Sequence, residues 1–197
     1  MPYLGNEVAP LVQALEGKEL KLDSDGDSSI QASSDDIVVF KTNSNTALNI
    51  NANGIITKPL QTTFLAHGSS GNDDMTAGSV ATVVFGTEVH DQNSDFASNT
   101  FTAPVDGKYL LIGTFLFTDV DTDCTEVEIR INTSNRIYRL FQVPSKQLSA
   151  DGSIGDSLSV VADMDASDTA IIQVTPANGG NQMNIHPYTF FSGCLLA

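Results

Sequence analysis

The residues best placed to do chemistry in this sequence are carboxylates at alternate positions. Asp119, Asp121 and Asp123 form the run D-x-D-x-D, with Glu126 and Glu128 shortly after it. Calcium takes about six to eight oxygen ligands, so three such carboxylates could converge on one ion. The spacing of the usual calcium-binding loop is incomplete, because no glycine follows the third aspartate. The alternative is an acidic, solvated loop between two strands, and both interpretations are open at this point.

Two further acidic clusters occur elsewhere. Asp23, Asp25 and Asp27 surround a glycine, and runs rich in Asp and Gly are typical of turns. Asp163, Asp165 and Asp168 form the other cluster, which we interpret as the end of a hairpin. A turn is the preferred interpretation of the first cluster, with a cation site as the alternative.

The remaining polar residues offer little catalytic chemistry. His67, His90 and His186 are scattered at the ends of predicted strands, without the spacing of a metal site or a cysteine companion. No G-x-S-x-G elbow or phosphate-binding glycine pattern occurs. We therefore expect a protein that is not an enzyme and needs no cofactor, with calcium at Asp119, Asp121 and Asp123 as the one candidate ligand.

The charge balance restricts the partners. The 197 residues include 24 Asp and Glu against 9 Lys and Arg, a net charge of −15. Binding to phosphate groups needs clustered Lys and Arg, so nucleic acid and anionic membrane surfaces are unsuitable partners. No apolar run reaches the ~18 residues of a membrane span, and the N-terminus lacks the pattern of a secretory signal. We expect synthesis in a cytoplasm, where Cys124 and Cys194 remain buried thiols.

Two zones with different patterns precede the longest part of the chain. Residues 1–19 carry apolar residues at Val8, Leu11, Val12 and Leu15, which predicts a short helix and an anchoring segment. Residues 20–59 instead contain short alternating pieces, namely Leu20/Leu22, Ile30/Ala32, Ile37/Val39, Leu48/Ile50 and Ile55, with a turn at Asn53-Gly54. Strands that alternate have one apolar face, and so short a zone cannot bury such faces alone. We expect identical copies to wrap round a common axis, as in a fibre shaft that ends at Lys58-Pro59.

Residues 60–197 contain at least eight runs with strand character. They are 61–67, 79–85, 100–104, 108–117, 125–132, 136–143, 156–164, 169–175 and 188–196. Turn sequences separate them, which is typical of a sandwich or jelly roll. Alternation places Val127, Ile129 and Ile131 on one face of their strand.

The spacing of aromatic and glycine residues in this zone resembles a known family. The relevant positions are Phe85, Asp91, Phe96, Phe101, Gly107, Tyr109, Phe191 and Gly193, within segments such as FTAPVDGKYLL and TFFSGCLL. This pattern resembles the globular head of the complement C1q family, which is related to the tumour-necrosis-factor trimers. The interval from Phe96 to Phe101 is two residues shorter than usual, and no collagen-like stalk precedes the head. The resemblance implies an all-β, homotrimeric jelly-roll head, with these residues in the sandwich core or at the subunit contact.

The zone at 20–59 is similar in composition to fibre proteins of tailed phages. The combination implies a virion fibre on a tail or a capsid, with a trimeric β-rich shaft and a small N-terminal anchor, residues 1–19, that binds other virion proteins. The head would bind a host receptor or glycan through loops 68–78, 91–99, 119–124 and 145–155. The alternative is a capsid decoration protein that stabilises the particle without binding a receptor.

Overall fold

The chain folds almost entirely into antiparallel β-strands over the residues that the computed structural model describes, which are 18–69, 72–144, 152–178 and 183–197. The all-β prediction is confirmed. The predicted helix at Val8–Leu15 and nearly all of the anchor zone lie outside the described residues. Within the described part, no helix is long and apolar enough to cross a membrane. Two compact units meet between Leu60 and Gln61, and each is described separately.

The first unit contains one five-stranded sheet in which consecutive strands are neighbours. Its strands are β1 (Leu20–Lys21), β2 (Ser29–Ser34), β3 (Ile37–Thr42), β4 (Asn45–Ile50) and β5 (Ile56–Thr57). Asn43 and Ser44, both with positive φ, form the two-residue turn between β3 and β4. Gly54, with φ +75°, lies in the turn between β4 and β5, at the position that the sequence predicts.

The register of β3 differs from the expected one. Val38 and Phe40 share a face with the apolar residues of β2 and β4, whereas Ile37 and Val39 point to the other side. Four successive apolar residues, Ile37 to Phe40, leave the alternation ambiguous, and a shift by one residue moves every side chain to the opposite face. Only the pairing with neighbouring strands decides the face.

The second unit is a sandwich of two six-stranded antiparallel sheets. Its strands are β6 (Thr63–Gly68), β7 (Ala81–Thr82), β8 (Phe85–Gln92), β9 (Phe96–Ala97), β10 (Thr100–Thr102), β11 (Gly107–Val120), β12 (Glu126–Thr133), β13 (Ile137–Gln142), β14 (Gly152–Met164), β15 (Thr169–Ala177), β16 (Asn184–Ile185) and β17 (Phe190–Leu195). One sheet has the order β13-β12-β15-β10-β9, with β7 beside β15. The other has the order β14-β11-β17-β6-β8, with β16 beside β11.

The core lies between the two sheets and follows from alternation along the strands. Tyr109, Leu111 and Phe115 of β11 are completely or almost completely buried, and β12 contributes Val127, Ile129 and Ile131, as predicted. These side chains belong to a single cluster that runs through the unit. The sequence pattern therefore predicts the core of this unit well.

Two predicted segments have a different structure. The run at 79–85 is not one strand, because Val83 turns inward between β7 and β8 and its N–H donates a hydrogen bond to Ile172 O at 3.0 Å. Strand β8 is not predicted from the sequence. This strand lies at a sheet edge and is mostly exposed, so its residues do not alternate between apolar and polar. The cluster at 163–168 is not a hairpin end, because it connects β14 and β15, which belong to different sheets.

Candidate functional site

The aromatic residues of the resemblance form the centre of the sandwich. The ring of Phe64 stacks on Phe96 and Phe101, with centroids 5.0 and 4.9 Å away, and meets Phe191 edge-on at 5.0 Å. Phe85 is half-buried and completes the cluster beside Phe96 and Phe191. Ring pairs at these distances add to the stability that burial alone provides.

Tyr109 continues the aromatic cluster on the side of Phe101. Its ring is 5.4 Å from that of Phe101, and its hydroxyl donates a hydrogen bond to Val105 O at 2.7 Å. Burial raises the pKa of this hydroxyl. The sequence left open whether Tyr109 and Phe101 face the core or a subunit contact, and both are fully buried inside the sandwich of a single chain.

Asp91, Gly107 and Gly193 have structural roles around this cluster. The Asp91 carboxylate accepts hydrogen bonds from the N–H groups of Asp95 and Phe96 at 3.0 and 3.1 Å, which fixes the turn before β9. A Cβ atom at Gly107 would lie 2.8 Å from Ala197 O, and one at Gly193 would lie 2.7 Å from the Phe64 ring. Both glycines are therefore required by close packing.

The loops of the sandwich lie at two opposite ends. We call the end that contains Gln61 the proximal end. The turn at 91–96 lies there, because the Gln92 side chain donates a hydrogen bond to Gln61 O at 2.8 Å and the Thr62 hydroxyl donates one to the Asp95 carboxylate at 2.8 Å. Strand β11 runs the length of the sandwich, so Val120 marks the other, distal end. The head loops proposed for receptor contact thus divide between the two ends, and 91–99 is proximal.

The distal end is built by segments that hydrogen-bond to one another. Asn184 donates to the Asp119 carboxylate at 2.9 Å and accepts from the N–H of Asp74 at 2.7 Å, while the N–H of Met75 donates to Met183 O at 3.0 Å. Residues 72–75, 119–124 and 183–185 therefore form one surface. Parts of the predicted contact loops, residues 70–71 and 145–151, lie outside the described residues.

The sheet β14-β11-β17-β6-β8 has a second face, which points away from the core and which we call the outward face. Its side chains include Thr63, Leu65, His67, Thr87, His90, Gln92, Leu110, Ile112, Thr114, Leu116, Ser157, Ser159, Val161, Phe190, Ser192 and Cys194. None of these is an Asp, Glu, Lys or Arg, although the chain has 33 such residues, 24 acidic and 9 basic. The same pairing puts Lys108 and Asp163 on this face, next to Leu110 and Val161. The nearest charges on β11 and β14, Lys108 and Asp163, form an ion pair at the rim.

A depression of about 240 Å³ lies in the middle of the outward face. Leu65, Leu110 and Ile112 line it, together with His90, whose Nε2 lies 3.2 Å from the hydroxyl oxygen of Thr63. The ring of His67 meets Phe190 edge-on with centroids 4.4 Å apart. These contacts of His90 and His67 are to a threonine and a phenylalanine, and Cys194 lines the same depression as His90.

Sequence reasoning missed the outward face, although a signal for it exists. The run at 109–112 is apolar at successive positions rather than at alternate ones, so β11 presents apolar side chains on both sides. Strands of this kind are buried on both faces in folded proteins. In one copy of this chain, only the side with Tyr109 and Leu111 is covered.

The two cysteines differ in position. Cys124 is buried at the distal end, and burial raises the pKa of its thiol. Cys194 is half-buried on the outward face. Both are free thiols, but the expectation that both are buried is correct within one chain only for Cys124.

The other sheet carries a small ion-pair network. Glu128 is buried, bonds to the guanidinium of Arg130 and lies 3.1 Å from Arg139 Nη1. The hydrogen bond from Arg130 is the main reason that the pKa of Glu128 is lowered. The network pairs the charge of a buried carboxylate, although Glu128 Oε1 and Arg130 Nε are buried without a hydrogen bond, and it leaves Arg139 half-exposed on the edge strand β13.

The structure does not gather the predicted calcium ligands. Within the described ranges, the one group of three potential ligands with oxygens inside 4.8 Å is Asp23, Asp25 and Asp27, not Asp119, Asp121 and Asp123. A left-handed backbone at Asp119, with φ 52°, turns the chain so that its carboxylate binds Asn184 instead. In this conformation the three carboxylates of the D-x-D-x-D run are not brought together, and calcium at these residues stays a prediction.

The cluster in the first unit behaves as a turn. Asp23 accepts hydrogen bonds from the N–H groups of Gly26 and Ser28 at 2.9 and 3.0 Å. A hydrogen bond from the Ser28 side chain, followed by these backbone bonds, lowers the pKa of Asp23 to about 2. Desolvation and the neighbouring Asp25 raise the pKa of Asp27. This network accounts for the conformation of the loop without a bound cation.

Comparison with known proteins identifies the fold of the second unit. No protein-family model matches the chain, and no curated protein sequence matches it. Among solved structures, the globular domain of zebrafish complement 1qA is similar at 19% identity over 70% of this chain and 98% of that domain, with a TM-score of 0.55. Murine APRIL at pH 8.0 is similar at 15% identity over 69% of this chain and 99% of its own, with a TM-score of 0.49. The second unit of this chain therefore has the jelly-roll fold of the C1q globular domain.

Proposed function

We propose that this protein is a homotrimeric fibre protein of a virion, whose jelly-roll head binds a receptor or glycan on the host surface. The single observation that supports the trimer is the outward face, whose central side chains are all uncharged in a strongly acidic protein and whose one ion pair, Lys108 with Asp163, lies at the rim. Its side chains form three rows across four strands, which corresponds to roughly 400 Å² of flat area. Leu65, Leu110, Ile112, Val161, Phe190 and Cys194 are apolar, and the polar side chains between them carry no formal carboxylate, ammonium or guanidinium charge. Depletion of charged residues is typical of the centre of a protein interface.

A second copy of the chain fits this face better than an unrelated charged partner. Leu110, Ile112 and Phe190 offer apolar contact, while the charges lie at the rim, which is the usual arrangement of a protein interface. A closed ring of three copies also protects the edge strands β8 and β14 of the sheet. The C1q-like fold makes three the expected number of copies.

Within this proposal the distal end of the head faces the host. Three copies would present three identical sets of the segments 72–75 and 119–124, and multivalency would strengthen weak individual contacts. Residues 20–59 would form the shaft, and residues 1–19 would attach the protein to other virion proteins. The protein would act by binding and carry out no catalysis.

The trimer is tested by mass in solution. Sedimentation velocity should give three times 20.9 kDa for the intact protein. Ile112→Glu places a carboxylate in the centre of the outward face and should dissociate the head contacts, whereas Thr102→Glu adds the same charge to an exposed position of the other sheet and should leave the mass unchanged. A folded monomer for the intact protein at micromolar concentration would refute the trimer.

The role on the particle needs a separate experiment. Antibody labelling of intact particles should locate the protein, and purified protein should compete with particles for adsorption to host cells. Deletion of residues 60–197 should leave particle assembly intact and abolish adsorption. Labelling on the capsid together with unchanged adsorption would favour the capsid decoration protein instead.

A further inference from the structure

The sheet of the first unit has two faces of opposite character. Residues that are directly paired across strands share a face. One face, which we call the apolar sheet face, contains the row Leu20, Ile30, Phe40 and Leu48 and the row Ala32, Val38, Ile50 and Ile56. All eight side chains are apolar, and the strand pairing makes the face continuous across all five strands.

The other face is polar and is already covered within the unit. Lys41 Nζ lies 2.5 Å from Glu19 Oε1 and 3.2 Å from Gln31 Oε1. The loop at 22–28 folds over this side, where the Lys21 side chain bonds to Gly26 O and Ser29 and Val39 are buried. The usual arrangement is thus reversed in this part of the sheet, since the polar side around Lys41 carries ion pairs and hydrogen bonds and the apolar side is exposed.

The exposure of the apolar sheet face is substantial. Ile56 is 57% exposed, Leu20 47% and Phe40 37%. A single five-stranded layer cannot be stable with such a face in water, because burial of apolar area is the main favourable contribution to folding. Another surface must cover it in the working protein.

We infer that the apolar sheet faces of three copies of this chain pack against one another and form a hydrophobic core along the fibre axis. This inference rests on the proposed homotrimer and assigns a second, separate contact to it. Its occupant is the same surface of two further copies. The absence of charge on all eight positions is what a contact between identical faces requires, because any charged side chain would meet its own copies.

The dimensions are compatible with three copies. Five strands about 4.8 Å apart and two rows of side chains give roughly 350 Å² of flat area in each copy. Each copy would bury this same area in a dimer or in a trimer, so the number three is taken from the proposed homotrimer. A triangular arrangement with sides of about 24 Å leaves about 7 Å from the middle of each sheet to the axis. The middle strand is β3, and its Phe40 is the largest side chain on the face, placed where that space is widest.

Crosslinking in the full-length protein tests the inference directly. Phe40→Cys places three thiols near the axis, but the Cα atoms of neighbouring copies would lie about 12 Å apart, which is too far for a disulfide. A short bis-maleimide reagent should therefore link neighbouring copies covalently, as seen on a denaturing gel. Thr57→Cys lies on the opposite face of the same sheet and is the matched control, which should form no such link. Both variants carry Cys124→Ser and Cys194→Ser, so that no other thiol contributes.

A charge placed on either side of β5 gives a second readout. Ile56→Glu and Thr57→Glu alter adjacent exposed residues on opposite faces. We expect amide exchange in residues 29–50 to become at least tenfold faster in Ile56→Glu and to stay unchanged in Thr57→Glu. Equal exchange in the two variants would contradict the inference.

The outcomes separate this inference from the proposed trimer. A mass of three times 20.9 kDa without a link in Phe40→Cys would overturn the packing of the sheet faces and leave the head contact intact. Coverage of the face by the chain's own residues 1–17 would give that same unlinked result. A monomeric mass for the intact protein would refute both the proposed trimer and the packing of the apolar sheet faces.

Discussion

Phe64 is the residue whose loss should damage the head most. Its ring is in contact with three other phenylalanine rings, Phe96, Phe101 and Phe191, at centroid distances of 4.9–5.0 Å, and it is 1% exposed. It also fills the space beside Gly193, where no side chain is present. Phe64→Ala would therefore leave a cavity in the centre of the sandwich that its rigid neighbours cannot fill.

The expected cost follows from this packing. Replacement of a buried Phe by Ala costs about 3–5 kcal/mol. Three ring contacts place Phe64 near the upper half of that range, at about 4 kcal/mol. Domains of this size have a free energy of unfolding of about 5–15 kcal/mol, so the variant should fold but with a large share of its stability lost.

Urea unfolding followed by circular dichroism measures this change. With a denaturant dependence of about 2 kcal/mol per molar urea, the midpoint should fall by about 2 M. The protomer concentration must be equal in all samples, because the stability of an oligomer depends on it. Phe141→Ala is the matched control, since this ring is 49% exposed on the edge strand β13, and it should cost about 1 kcal/mol or less. Equal midpoints for the two variants would refute the proposed role of the aromatic cluster.

Three more predictions concern packing, acid and thiol reactivity. Gly193→Ala should destabilise the head by roughly 1–3 kcal/mol in urea unfolding, because the new methyl group would lie 2.7 Å from the Phe64 ring. Gly155→Ala is the control, and it should change the stability little because its nearest contact would be at 3.4 Å. The pKa of Asp23 is lowered to about 2 from its ordinary value of 3.8. The stability that its ionised form contributes should therefore be present above pH 4 and lost as the pH falls toward 2. An NMR titration of this carboxyl group with a midpoint near 3.8 would contradict the prediction. Cys124 should react with Ellman's reagent only on unfolding, while Cys194 should react in the folded protein once a charge on the outward face has dissociated the proposed trimer. Rapid reaction of Cys194 in the intact protein would argue against the proposed head contact.

The sequence determined the fold class and most of the core. Alternation at Val127, Ile129 and Ile131 identifies the buried side of β12, and the spacing of Phe96, Phe101 and Tyr109 indicates the C1q-like jelly roll. These signals are local, because a strand with one buried side must repeat its apolar residues every second position. They survive in the sequence whatever the neighbouring strands are.

The predicted calcium site at Asp119, Asp121 and Asp123 stays a prediction, because residue spacing alone does not decide how the carboxylates are arranged. The aspartates at 119–123 are close in sequence, but their oxygens converge only if the backbone turns suitably, and the left-handed conformation at Asp119 directs its carboxylate to Asn184 instead. Asn184 lies 65 positions away in the chain, and nothing in the local sequence predicts that contact. Ligand geometry is a property of the folded loops, not of residue spacing alone.

The outward face and the apolar sheet face show the same division between what the sequence determines and what the tertiary structure determines. The amino-acid sequence by itself determined that the strands at 20–59 carry more apolar residues than one copy can bury, and the successive apolar residues at 109–112 are a signal, which sequence reasoning missed, that β11 is apolar on both sides. Only the tertiary structure decided which side of each strand is left exposed, because the register places Phe40 opposite Ile30 and Leu48, and Leu110 opposite Cys194 and Val161. Register depends on pairing between distant segments, and a shift of a single residue would exchange the buried and exposed sides of every strand.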